Sequence, residues 1–282
     1  MRRRALACGL ALSCTALGAA PVSRTVAPGT HLRTFAFCPD GKTLVGPEGQ
    51  SGWLISWPAG DARRPAPGTD ASRPPCAAAS LGYSTDGKSW AFPADDDSGE
   101  VVVRDGAGGA ETKRFRAHLG SVVAVLFSPD GRFLATSGDD NDVHIWDAKT
   151  WAAVKTIDSI SFTSFALAWS PDARVLYTGG ASRNVTAWSA STWTAIRSSA
   201  AQRFVIGNLS VSPDGRTVAA AGWDPDASGR PAAVQVLAAD TLSERMSIPT
   251  PGPARPIAFS PDGKSLVGLI RGQAGLTVWP ME

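Results

Sequence analysis

Residues 117–147 read AHLGSVVAVLFSPDGRFLATSGDDNDVHIWD, and this stretch decides the fold. At its centre stand Ser128, Pro129, Asp130 and Gly131. Pro presets φ for the first central position of a tight turn, Asp bonds back to the backbone, and Gly relieves the exit. The flanks, Val123-Ala124-Val125-Leu126-Phe127 and Arg132-Phe133-Leu134-Ala135-Thr136, are apolar at every second residue or more. Such runs read as buried sheet strands rather than helices. A third strand, Asp142-Val143-His144-Ile145-Trp146-Asp147, follows, and then a more polar fourth, Trp151-Ala152-Ala153-Val154-Lys155-Thr156.

The same pattern recurs along the chain. FAFCPDGKTLV, LGYSTDGKSWAF, LAWSPDARVLYTG, LSVSPDGRTVAAAG and IAFSPDGKSLVG repeat it, giving six copies with turn aspartates Asp40, Asp86, Asp130, Asp172, Asp214 and Asp262. The steps between them are 46, 44, 42, 42 and 48 residues. A near-constant period of this length is the mark of a repeat architecture. In the fourth copy Asn184-Val185-Thr186-Ala187-Trp188-Ser189 is again a clear third strand.

With four strands per repeat and Trp-Asp closing the third, the sequence from about residue 22 onward resembles the tryptophan–aspartate (WD) repeat β-propellers. That resemblance implies an all-β propeller. It also implies that His118, Thr136, Asp140 and Trp146 form the family's structural hydrogen-bonded set, tying a loop to strands. The other repeats depart from the pattern. Ser182 replaces the Asp of the fourth, Trp279 is followed by Pro280, the first has Trp57-Pro58, and the second has Arg104-Asp105. The fifth has no Trp at this place.

Six copies imply six four-stranded blades. The last copy runs out at Leu276-Thr277-Val278-Trp279-Pro280-Met281-Glu282, before a fourth strand. Residues Val22-Ser23-Arg24-Thr25-Val26-Ala27 precede the first copy and resemble an outer strand, as Thr112–Arg116 does in the second. Pairing the two ends removes two exposed sheet edges and closes the ring.

The N-terminus reads as an address. Arg2, Arg3 and Arg4 precede an uncharged run over 5–20 that ends in Gly18, Ala19 and Ala20, the form of a secretory signal peptide. The expected division is therefore 1–20 signal and 21–282 propeller, with the mature domain exported: periplasmic, envelope-tethered or extracellular. Cys14, after Leu12-Ser13, makes a lipid anchor the alternative, and this is the one membrane link expected. Cys38 and Cys76 fall on opposite faces of the repeat, too far apart for a disulfide, and both are expected to be free thiols.

Composition agrees. The 282 residues include 29 Gly, 21 Pro and 10 Trp, which suits many turns and excludes a helical bundle. Lys+Arg of 27 against Asp+Glu of 25, a net charge of +2, excludes a general nucleic-acid binder.

No reactive constellation emerges. Asp224–Gly229 opens like a calcium loop, but Gln235 stands where the closing Glu is needed. That segment and Asp95–Glu100 read as solvated acidic turns. His31, His118 and His144 have no spaced nucleophilic partner. Neither catalytic residues, nor a metal, nor a cofactor is expected. The leading reading is a non-catalytic scaffold for an unidentified protein partner. The alternative is a ligand-binding or hydrolytic propeller using the channel mouth. The candidate anchor is the fifth repeat's long loop, with Trp223, Asp224, Asp226 and Arg230. The Pro-rich stretch Pro58–Ser80, with Arg63, Arg64 and Arg73, reads as an irregular outer edge and loop.

Overall fold

The computed structural model describes residues 23–28, 35–37, 42–48, 51–59, 61–63, 82–84, 86–94, 98–106, 109–158, 164–224 and 232–281. Residues 1–22, with the expected signal segment and Cys14, lie outside this set. So do Cys38, Cys76, His31, Asp226, Arg230, Asp95–Asp97 and most of the stretch from Pro58 to Ser80.

All regular structure among the described residues is β. The strands group into six antiparallel sheets of four. The third repeat is representative, with strands Val122–Phe127, Phe133–Gly138, Asp142–Asp147 and Ala153–Asp158 paired in sequence order. The outer strand thus begins later than the sequence spacing implies, and Trp151 falls in the turn before it. The sixth sheet departs from sequence order. Ala254–Phe259, Ser265–Ile270 and Leu276–Pro280 are joined by Arg24–Val26 from the other end of the chain. Arg24 stands opposite Val278, Thr25 opposite Thr277 and Val26 opposite Leu276.

The repeated turn is built as its residue types require. Ser128 Oγ donates to Asp130 Oδ1 at 2.6 Å, that oxygen accepts the Arg132 N–H, and the Phe133 N–H donates to Ser128 Oγ. The same set recurs around Ser84, Ser170, Ser212 and Ser260. The glycine of the turn has φ near +70° in the second, third, fifth and sixth repeats, a backbone region other residues avoid. In the fourth repeat Ala173 holds that position at φ 58°.

A second recurrent turn joins third and fourth strands. Trp151, Trp193 and Leu242 each donate N–H to the carbonyl four residues back, at φ 61°, 56° and 55°. A bulky residue at positive φ is strained, and packing must hold it there. Trp151 packs on Phe115 of the second sheet, Trp193 on Phe133 of the third, and Leu242 is buried between the fourth and fifth sheets.

The core lies between neighbouring sheets. Buried clusters join the second sheet to the third, third to fourth, fourth to fifth, fifth to sixth, and sixth to first. In the last, Val26 and Leu276 pack with Phe35, Leu44 and Ile55. The ends of second strands and the starts of first strands share one rim. The Ser-Pro-Asp-Gly turns occupy the opposite one.

Candidate functional site

On the first of these rims, the third sheet brings together all four residues of the expected hydrogen-bonded set. His118 sits in the loop before the first strand, Thr136 on the second, Asp140 in the turn after it, and Trp146 on the third. His118 Nδ1 lies 2.8 Å from Asp140 Oδ1, and His118 Nε2 lies 2.9 Å from Thr136 Oγ1. The Trp146 Nε1–H donates to the same threonine oxygen at 3.1 Å. The consistent proton assignment has His118 donating through Nδ1 and accepting the Thr136 hydroxyl proton at Nε2. Asp140 Oδ2 also accepts the Leu119 N–H, which pins the loop.

Electrostatics favour this neutral histidine. Burial pushes the His118 imidazolium pKa below its ordinary range, against the pull of Asp140. Asp140 is itself held low: burial opposes ionisation, but the Leu119 N–H and His118 outweigh it. Asp142 is pushed up by burial and by the charge of Asp140.

His144 joins the cluster, with its ring centroid 4.7 Å from that of His118. Ligand atoms of His118, Asp140 and His144 all lie within 4.8 Å of one another. Metal coordination needs a free lone pair on each ligand, and both nitrogens of His118 are already engaged, while His144 Nδ1 lies 3.0 Å from Thr156 Oγ1. Around His118 the arrangement is a satisfied network. Its chemistry is positional: it clamps a loop to three strands.

A different feature stands out on the same rim, between the fifth and sixth sheets. A cleft of about 580 Å³ is lined by Trp223, Asp224, Arg255, Ile270, Arg271 and Gln273, among others. The sequence spacing put Trp223 in a projecting loop. Instead it is the last residue of the strand Thr217–Trp223, opposite Val205, and is half-buried. Its ring lies over Gly207, where an added Cβ would come within 2.6 Å of Trp223 Cζ3 and 2.8 Å of Arg255 Cδ. The Arg255 guanidinium sits 4.4 Å from the Trp223 ring centroid, a cation–π contact. Of the four residues proposed as an anchor, the structure places Trp223 and Asp224 on this cleft. Asp226 and Arg230 lie outside the described residues.

Arg255 and Arg271 were not singled out from the sequence. Arg255 follows Ala254 at the start of a first strand, and Arg271 follows the second strand of the same sheet. The available signal was that loops into first strands and after second strands share a rim.

A second cleft, of about 620 Å³, lies on the opposite rim between the fourth and fifth sheets. Its Asp172 and Asp214 are committed to their own turns through Ser170 and Ser212.

Comparison with known proteins agrees with the repeat. Residues 109–147 match the family model for the WD domain, G-beta repeat. No curated protein matches the sequence. Among solved structures, a chain of a mitotic checkpoint complex is similar at TM-score 0.71 and 19% identity, with 97% of this chain and 99% of that one covered. A chain of Kuenenia stuttgartiensis hydrazine synthase is similar at TM-score 0.61 and 18% identity, over 67% of this chain. This chain spans about half of it, 54%. At these identities the likeness is one of fold.

Proposed function

We propose that this chain, an all-β propeller whose third repeat is a WD repeat, is a non-catalytic scaffold that binds another protein on the rim carrying Trp223 and Arg255. In this reading the six sheets are six blades of one ring, and Arg24–Val26 is the strand that closes it. Export follows from the basic and then apolar N-terminal segment, through Arg2–Arg4 and the run to Ala20.

One observation carries the binding reading. The histidine best placed for chemistry, His118, has both ring nitrogens committed to Asp140 and Thr136, whereas the cleft at Trp223 combines an aromatic, two arginines and an apolar wall. Trp and Arg in one pocket are the residues that dominate protein-binding energetics.

The test is site-specific photocrosslinking in the producing cells. A crosslinker at Gln273, exposed on the cleft, should give discrete protein adducts. One at Lys264, on the opposite rim, should not. Equal labelling from both positions, or none from Gln273, would refute the reading. The same cells, fractionated, should show the protein outside the cytoplasm.

A further inference from the structure

We infer that the cleft between the fifth and sixth sheets is a carboxylate-recognition site, and that its ligand is an acidic segment of a partner polypeptide, gripped by Arg255 and Arg271 over Trp223. This deepens the scaffold reading and rests on it.

The cleft is built around two positive charges. Arg255 and Arg271 both line it, close enough for each to feel the other. Both side chains are exposed, yet like charges held together repel, and partial desolvation of Arg255 adds to the cost. Among the described residues neither guanidinium has a carboxylate within ion-pair distance, whereas Arg114 reaches both Glu100 and Glu111. Among the described residues of the lining Asp224 is the one acid, and it has interactions of its own. Against it stand two arginines, an excess of positive charge among these residues.

Trp223 and Gly207 prepare the arginine. The open space at Gly207 admits the indole and the Arg255 stem at once, so that Arg255 Nη1 would lie 2.9 Å from a Cβ placed there. An arginine stacked on an aromatic face loses rotamer freedom but keeps its N–H groups for an outside acceptor. A guanidinium so held matches the two oxygens of a carboxylate. Arg271 supplies a second donor and the charge that a lone arginine lacks.

The walls argue for a peptide. Half-buried Pro253 adds apolar surface beside the charges, backed by the buried Leu269 and Ile270. A segment with an aliphatic residue next to Asp or Glu would use both features. A nucleic acid would need a broader basic surface than a chain of net charge +2 provides.

The test is selection of short random peptides displayed on phage, using the intact mature protein as bait. Wild-type protein should enrich peptides carrying Asp or Glu beside an aliphatic residue. The selected peptides, made synthetically and labelled, should bind with affinity that falls about tenfold or more in R255A and again in R271A. Replacing their acids with Asn or Gln should do the same, while R255K retains part of the binding. Melting temperatures of R255A and R271A should stay near wild type. Peptides without acidic enrichment, or acidic peptides whose binding survives the R255A/R271A double variant, would overturn this site and leave the scaffold reading standing. Failure to enrich any peptide would count against both. Competition by a labelled oligonucleotide in preference to the peptides would replace the polypeptide ligand with a nucleic acid.

Discussion

The ring of Trp193 meets that of Phe133 edge-on, with centroids 5.2 Å apart, across the seam between the third and fourth sheets. Trp193 holds this position at φ 56°, so the aromatic contact and the backbone strain are linked. Glycine carries no penalty at positive φ, whereas alanine does. Both Trp193→Gly and Trp193→Ala should destabilise, but Ala more than Gly by about 1 kcal/mol. Thermal melts of the two variants check the order. An Ala variant more stable than the Gly variant would refute the strain.

Thr136 serves two partners, His118 and Trp146. Thr136→Val keeps the shape and removes the shared hydroxyl, leaving a part-buried indole N–H and a buried imidazole lone pair unmatched. A loss of about 2–3 kcal/mol is expected. Among the described residues Thr178 accepts only from Trp188 Nε1, so Thr178→Val should cost about 1 kcal/mol less. Denaturant titration of the pair resolves the difference.

The depressed pKa of His118 makes stability depend on pH. The unfolded histidine takes up its proton near its ordinary value of 6.5, before the folded one does. The stabilisation is therefore complete above that pH and is lost as pH falls toward the folded value. His118→Gln should lower stability at neutral pH and flatten its slope below about pH 6.5. Melting curves across that window provide the check. A steeper slope in the variant would contradict the assignment.

The turn aspartates act lower on the scale. Asp172, Asp214 and Asp262 are each held below the ordinary carboxylate range by hydrogen bonds from Ser170, Ser212 and Ser260. Their contribution is present above about pH 4 and disappears as the folded carboxylates protonate. A triple Asp→Asn variant at these positions should melt lower at neutral pH and lose part of its acid sensitivity below about pH 4. Unchanged acid unfolding would exclude them as its source.

Deleting residues 23–27 should lower the melting temperature of the whole domain. It exposes the edge of Leu276–Pro280 and empties part of the cluster with Phe35 and Leu44. Val26→Asp should do the same with every residue retained. A melt unchanged in both would disprove the role of this strand.

Much of this was legible in the sequence because local chemistry dictates it. Ser-Pro-Asp-Gly demands its turn, and alternation demands strands, wherever they occur. The His118 set was readable because its members keep fixed places within one repeat. The Trp223–Arg255 stack was not, since it joins residues of different repeats and depends on the close approach that Gly207 permits. Trp151 misled for a different reason. An aromatic beside Thr looks like a strand start, yet it sits in a left-handed turn held by packing on a neighbouring sheet. Arg104 shows how a departure from the repeat is absorbed. Its guanidinium lies 5.3 Å from the Phe92 ring and 5.6 Å from that of Trp90, with a flat cation standing where the third repeat has Trp146.

Arg24 and Val278 are strand neighbours, yet nearly the whole chain separates them. Contacts so distant in sequence cost the most loop-closure entropy and form late in folding. Until they form, both strands offer unmatched backbone groups to any other molecule in the same state. Pairing Arg24–Val26 with Leu276–Pro280 therefore also guards against association between partly folded molecules.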